Sequence, residues 1–308
     1  MATKPRILLV EPLDEDADRR LDAGAEVVRP PATDEATLCR LVADCEGLVA
    51  RTDTAVTAAL LEAGKRLRVV GVAGVGLDRV DVVAAEKSGI AVLHTPAAAS
   101  DAVAEFTMAL MLQLLRPVLR LAGAYKEGQF RSVRDEGHGR ELRELTVGIV
   151  GMGRIGSRVG RIASAGLGAT VLYNDIVEVG PFAFEATAVD KPTLWSQSDI
   201  VTLHVPATEM TRELVNADVL ARMRPSAYLI NTARGVVVDT AALTAALQGG
   251  QIAAAALDVV EPEPLPPEHP LFAMENCVLT PHVAARTHDG LRRMYAVVDD
   301  VLAFLTRS

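Results

Sequence analysis

Gly151, Gly153 and Gly156 stand in the spacing G-x-G-x-x-G directly after a short apolar run, Thr146 to Val150. An amphipathic segment, Arg154 to Ala165, follows. A second apolar run, Ala169 to Tyr173, then leads to Asp175, nineteen residues past the last glycine. This order of strand, glycine turn, helix, strand and acid suits a dinucleotide. The first glycine allows the tight turn, the second lets a pyrophosphate approach the backbone, and the third packs helix against strand. The free N–H groups at the helix start face the phosphates. A carboxylate at the end of the next strand accepts both ribose hydroxyls and repels a 2′-phosphate, so the reading is NAD before NADP. A glycine-rich turn alone can be only a turn. With strand, helix and acid all in place, it is read as a cofactor site.

Three more residues point to chemistry. Arg234 lies in Asn231-Thr-Ala-Arg-Gly235 at the end of an apolar run, Glu263 lies just past Ala253 to Val259, and His282 lies in Leu279-Thr-Pro-His282. Singly they read as a surface arginine, a solvated loop acid and a structural histidine. Together they deliver a cation, an acid and a base to the C-terminal ends of different strands of one nucleotide-binding sheet, where such sheets bind ligands. Arginine grips a carboxylate with a bidentate fork. Histidine moves a proton in either direction near neutrality, and a neighbouring carboxylate orients its ring. That set matches oxidation of an alcohol beside a carboxylate, with the hydride leaving for a nicotinamide.

Strand-like and helix-like runs alternate along most of the chain, which predicts parallel α/β layers. Strands are expected at Ile7–Val10, Glu26–Val28, Gly47–Ala50, Val69–Ala73 and Ala91–His94, with helices such as Asp34–Ala43 and Val56–Ala63 between them. Asp34 and Thr54 are the expected caps of those two helices. A long apolar helical stretch then runs from Ser100, a candidate N-cap, to Tyr125, with a break at Pro117. A polar segment, Glu127 to Arg143, follows. A second strand series is expected at Val147–Val150, Thr170–Tyr173, Ile200–His204, Tyr228–Asn231, Ala253–Val259 and Cys277–Leu279. One helix, about Arg286 to Leu305, closes the chain. Because the glycine motif sits mid-chain, the simplest arrangement is a discontinuous first domain, residues 1–98 and 283–308, around a nucleotide-binding domain, 99–282.

The 308 residues carry a net charge of −9, which argues against a nucleic-acid or anionic-membrane partner. No uncharged apolar run reaches the roughly 18 residues of a membrane span, and no signal-peptide pattern opens the sequence. Cys39, Cys45 and Cys277 are odd in number and lack metal-ligand spacing, so no metal is expected and the location reads as cytoplasmic.

The motifs Val72-Ala-Gly-Val-Gly-Leu-Asp78, Thr95-Pro96, Gly151-Met-Gly-Arg-Ile-Gly156, Leu203-His-Val-Pro206, Asn231-Thr-Ala-Arg-Gly235, Ala256-Leu-Asp-Val259 and Thr280-Pro-His282 cover nearly the whole chain. In these the chain resembles the D-isomer-specific 2-hydroxyacid dehydrogenases. The resemblance implies an α/β fold of two Rossmann-like domains: a discontinuous, flavodoxin-like substrate domain and an NAD-binding Rossmann domain. It implies Arg234 on the substrate carboxylate and carbonyl, Glu263 paired with His282, and His282 as acid/base, with the Val75 and Gly76 amides helping to hold the carboxylate. Arg51 matches a position that reaches substrate in some members, although a plain surface arginine reads nearly as well. For the cofactor it implies Arg154 and Ile155 at the pyrophosphate, Asp175 at the ribose and Pro206 on the adenine side. Thr232, Ala233, Arg234 and Asp258 would lie beside the nicotinamide.

A homodimer built on the 101–121 helix, with 127–143 as an arm, follows from the same resemblance. So does a small 2-oxo or 2-hydroxy acid substrate, bound between the domains. There are departures at Ala97–Ser100, at Val283–Arg286, in the loop after Asp175, and in one extra residue before Gly168. Substrate choice among glyoxylate, hydroxypyruvate, phosphohydroxypyruvate and pyruvate stays open, with Arg51 and Arg286 as possible second anchors. The rival readings are a formate- or phosphite-type dehydrogenase, which Glu263 opposes, and an NAD(H)-sensing protein-binding module.

Overall fold

The computed structural model describes residues 4–307, which fall into two compact units, residues 4–99 with 286–307, and Ser100–Ala285. The first unit opens with β1 (Arg6–Leu9), α1 (Glu15–Gly24), β2 (Glu26–Val28), α2 (Glu35–Val42) and β3 (Gly47–Ala50). It continues with α3 (Ala58–Ala63), β4 (Val69–Val72), α4 (Val82–Lys87) and β5 (Ala91–His94). The strands form one parallel sheet in the order β2-β1-β3-β4-β5, the flavodoxin-like order. Asp14, Asp34, Thr57 and Asp81 cap the four helices through their side chains. The cap of α3 is thus Thr57 and not the expected Thr54. Val56 is first drawn into a parallel bridge with Val80, so the helix starts two residues later. Thr54 instead donates its hydroxyl to Glu11.

The second unit begins with α5 (Ser100–Leu115), α6 (Val118–Lys126) and α7 (Phe130–Arg134). Ser100 is the first helical residue of α5. The break at Pro117 bends α5 against α6 by 56°. Among the described residues no single helix is long and apolar enough to cross a membrane, although this bent pair passes by length and composition. In α5 nine of sixteen residues are buried, as befits a core helix.

The nucleotide-type series then runs β6 (Thr146–Val150), α8 (Arg154–Arg161), β7 (Thr170–Asn174), β8 (Thr187–Ala188), α9 (Lys191–Gln197) and β9 (Ile200–Leu203). It ends with α10 (Ala217–Leu220), β10 (Tyr228–Asn231), α11 (Thr240–Gln248), β11 (Ala254–Leu257) and β12 (Cys277–Leu279). All seven strands are parallel, in the order β12-β11-β10-β9-β6-β7-β8. Counted from β6 this is the doubly wound 3-2-1-4-5-6 order with one strand added. The extra residue before Gly168 is absorbed by a π-helical turn, Ile162–Gly166, at the end of α8. The two-residue β8 is exposed and too short to leave a periodic signal in the sequence.

The chain returns to the first unit as α12 (His288–Tyr295) and α13 (Val297–Thr306) rather than as one helix, with a turn-like Ala296 between them. Helix α13 packs on β3, β4 and β5. A Cβ on Gly71 of β4 would lie 2.5 Å from a Val301 methyl, so strand and helix meet there at backbone distance. Branched side chains of α13 fill the space that the glycine leaves, and this face of the sheet is closed by the last helix of the chain.

Candidate active site

The strand order of the second sheet reverses between β6 and β9, and the glycine turn follows β6 at that point. Gly151 has φ +89°, and a Cβ there would sit 2.5 Å from the His204 carbonyl oxygen, so the position admits glycine alone. A Cβ on Gly156 would come within 2.0 Å of the Gly151 carbonyl oxygen, which seats α8 directly on the turn. Gly153 differs from both. Nothing lies within 4 Å of its Cβ position, and as N-cap it offers no side chain to the first amides of α8. An open face with the uncapped helix start at Arg154 and Ile155 is what a pyrophosphate needs.

Asp175 follows β7 directly. Its Oδ2 accepts from the Met152 N–H at 2.7 Å and its Oδ1 from the Val177 N–H at 3.2 Å. The carboxylate is therefore tied to the glycine turn itself, and the residues present fit a dinucleotide. Pro206 lies exposed beyond β9, where its carbonyl oxygen accepts the Thr211 hydroxyl at 2.6 Å.

Arg234 sits on a loop shaped by its neighbours. Asn231, fully buried, donates from Nδ2 to the Arg234 carbonyl oxygen at 2.9 Å and accepts the Ala233 N–H at 3.0 Å. Arg234 Nη1 donates to the Ala233 carbonyl oxygen at 2.7 Å. A Cβ on Gly235 would meet the Val260 carbonyl oxygen at 1.9 Å, so this loop lies flat on the one that leads to Glu263. Thr232 and Ala233 are buried.

His282 and Glu263 are brought together: Nδ1 lies 2.7 Å from Oε1, with both side chains part-exposed. With its Nδ1–H given to the carboxylate, the ring keeps Nε2 for exchange with a reacting group. His282 has φ +52°, a left-handed backbone that a non-glycine residue holds only when its surroundings impose it. Asp258 imposes it. Its carboxylate is 2 % exposed and accepts the Thr280 hydroxyl at 2.6 Å, the Val283 N–H at 3.0 Å and the Ala284 N–H at 2.9 Å. Its carbonyl oxygen accepts the His282 N–H at 2.8 Å. The sequence placed Asp258 at a strand end but left this organising contact unread, because nothing in local spacing ties it to Thr280.

Arg51, Val75 and Gly76 lie in the first unit, at the C-terminal ends of β3 and β4. Glu11 holds the Arg51 loop, with Oε2 accepting the Arg51 N–H at 2.9 Å and Oε1 accepting the Thr54 hydroxyl. The Arg51 guanidinium lies 3.4 Å from Asp53. His94 donates from Nδ1 to the Val75 carbonyl oxygen at 2.9 Å. Arg286 is exposed. The cysteines are unpaired, and burial pushes the Cys45 thiol up to about 11 and the Cys277 thiol to about 12, which removes both as thiolate nucleophiles at neutral pH. Among the described residues no cluster of three His, Cys, Asp or Glu could hold a metal ion.

Residues 108–284 match the family described as D-isomer specific 2-hydroxyacid dehydrogenase, NAD binding domain. The chain is 42 % identical over 272 residues to the glyoxylate reductase of Thermofilum pendens, covering 86 % of this chain and 79 % of that one. The chain belongs to the D-isomer-specific 2-hydroxyacid dehydrogenases.

Two solved structures agree with that assignment. One is an NADPH-dependent glyoxylate/hydroxypyruvate reductase from Sinorhizobium meliloti in complex with NADP and malonate, with TM-score 0.88 and 34 % identity over 99 % of this chain and 94 % of that one. The other is a D-lactate dehydrogenase from Aquifex aeolicus complexed with NAD and lactic acid, with TM-score 0.89 and 29 % identity over 98 % and 96 %. In this member of the family the second unit is therefore the nicotinamide-dinucleotide-binding one.

His204, within the Leu203–Pro206 motif, lies just beyond β9. Its Nε2 lies 3.0 Å from the Thr202 hydroxyl, and its buried Nδ1 has no protein partner. Burial pushes this imidazole down to about 3 from the usual 6.5. Between those two values the unfolded chain binds a proton that the folded chain refuses, so stability present above pH 6.5 is lost as pH falls toward 3. Unfolding free energy, measured by denaturant from about pH 7 to about pH 4, will therefore fall with a slope about one proton steeper than in His204→Gln. Equal slopes would mean that His204 takes up its proton in the folded protein.

Proposed function

We propose that this dehydrogenase reversibly reduces a small 2-oxo acid to the D-2-hydroxy acid with NADH. The observation that carries the reading is the 2.7 Å contact of His282 with Glu263, built at a strand end of the dinucleotide-binding sheet. Arg234 is the anchor for the substrate carboxylate and carbonyl. When bound, the nicotinamide supplies or receives the hydride. In reduction His282 Nε2 gives its proton to the carbonyl oxygen, and in oxidation it takes the hydroxyl proton back. Glu263 keeps the ring in the required tautomer and orientation. The Val75 and Gly76 amides are proposed as further carboxylate donors, and Arg51 as a contact to the distal end of the substrate. Pro206, Thr232, Ala233 and Asp258 are assigned to the cofactor side, with Asp258 acting there through the turn that it holds.

NAD is favoured over NADP because Asp175 stands where a ribose 2′-oxygen would approach. The two residues that follow, Ile176 and Val177, are exposed and apolar, so this stretch brings no cation to a 2′-phosphate. The NADPH dependence of the Sinorhizobium meliloti enzyme makes this preference worth measuring. Glyoxylate and hydroxypyruvate, named for the relatives above, are the first substrates to test. A homodimer is proposed on the exposed apolar residues of α6 and α7, where Val118, Leu119, Tyr125 and Phe130 are each more than half exposed and Tyr125 meets Phe130 edge to face. Sedimentation at the monomer mass of 32.6 kDa would remove the dimer.

The deciding experiment is NADH consumption against a panel of 2-oxo acids, with NADPH in parallel. Turnover of one acid is expected, and silence across the panel with NADH still bound would refute the reaction. His282→Ala is expected to lower kcat by at least about a hundredfold with NADH affinity nearly intact; near-normal turnover in that variant would end the proton-transfer assignment. Asp175→Ala is expected to shift the NADH to NADPH preference toward NADPH. An unchanged ratio would show that Asp175 does not read the ribose.

A further inference from the structure

Thr107, in the second turn of α5, is fully buried among apolar neighbours, and its hydroxyl lies 2.8 Å from that of Thr232, two residues before Arg234. Thr107 also donates to the Val103 carbonyl oxygen at 2.7 Å. A hydroxyl has one proton, and a carbonyl oxygen can only accept. The Thr107 proton therefore goes to Val103, and Thr232 must be the donor to Thr107. The direction of the pair is thereby set by the α5 backbone.

We propose that Thr107 is a positioning residue for the Arg234 loop, acting through Thr232. The inference rests on the reading of Arg234 as the substrate anchor. Asn231 lies in register with Leu203 and Leu257, whose side chains belong to the core on one face of the sheet. By strand alternation Thr232 turns to the opposite face, where α5 packs on β10 and β11. The loop is thus held from both faces: Asn231 bonds the Ala233 N–H and the Arg234 carbonyl, and Thr107 fixes Thr232. Gly235 sits flat on Val260 just beyond. Of these restraints, the α5 side is made by a single hydroxyl. Removing it takes away the acceptor of the buried Thr232 hydroxyl, which loosens Thr232 and, two residues on, the Arg234 loop.

The test compares the unsubstituted chain with Thr107→Val, which keeps the shape and removes the acceptor, and with Thr107→Ser, which restores the hydroxyl. Hydrogen exchange of the 231–237 amides is expected to speed up in Thr107→Val and to return to the original rate in Thr107→Ser. With glyoxylate and hydroxypyruvate, kcat/KM is expected to fall roughly tenfold in Thr107→Val and to recover in Thr107→Ser. Unchanged exchange at 231–237, with only a lower melting temperature, would overturn the proposal and leave Thr107 a packing residue. If the unsubstituted chain turned over none of the panel acids, the functional reading would fail by itself, and the exchange comparison would still decide whether Thr107 holds the loop.

Discussion

A carboxylate almost removed from water must be surrounded by donors, and Asp258 meets that requirement by gathering the segment from Thr280 to Ala284 around itself. Three donors converge on its two oxygens, and the chain between them has little freedom left. His282 is carried into a left-handed backbone as a result, with its ring facing Glu263. The strain of that conformation, on the order of 1–2 kcal/mol, is offset by charge-assisted hydrogen bonds that each contribute a comparable amount. The contact of His282 with Glu263 thus depends on a residue that lies outside the pair.

The same logic recurs along the edge of the second sheet. Six of the seven strands deliver one piece each beyond their C-terminal ends: the glycine turn after β6, Asp175 after β7, His204 after β9, Arg234 after β10, Asp258 after β11 and His282 after β12. Parallel pairing brings these ends to one edge, since every strand runs the same way. Neighbouring loops then touch at backbone distance where side chains are absent. Gly151 abuts the His204 carbonyl, Gly156 abuts Gly151, and Gly235 abuts Val260. These contacts leave little room for the loops to drift, so the geometry is set before any ligand arrives, and cofactor and substrate need not order it.

Much of this was legible in residue order. The turn glycines, the acid nineteen residues on and the three polar residues at strand ends all lie within short, patterned stretches, and the structure finds them at those strand ends. Asp34 caps α2 as its type and place suggested. Thr54 misled, because hydroxyl and spacing suited a cap while Val56 was claimed by a bridge to Val80, a contact that no local pattern announces. The single closing helix misled in a similar way, since its amphipathic period runs unbroken through Ala296.

By itself the sequence determined the family, the parallel α/β architecture and the chemical types available to the site. Those follow from periods of two and 3.6 residues and from motifs a few residues long, which are local properties of the chain. Tertiary structure alone decided which buried polar groups meet. Thr107 and Thr232 are 125 residues apart, and Thr280 and Asp258 are 22 apart. A threonine in an apolar helix or an acid at a strand end carries no mark of its partner. The demand that a buried hydroxyl or carboxylate be paired acts only once packing has removed the water.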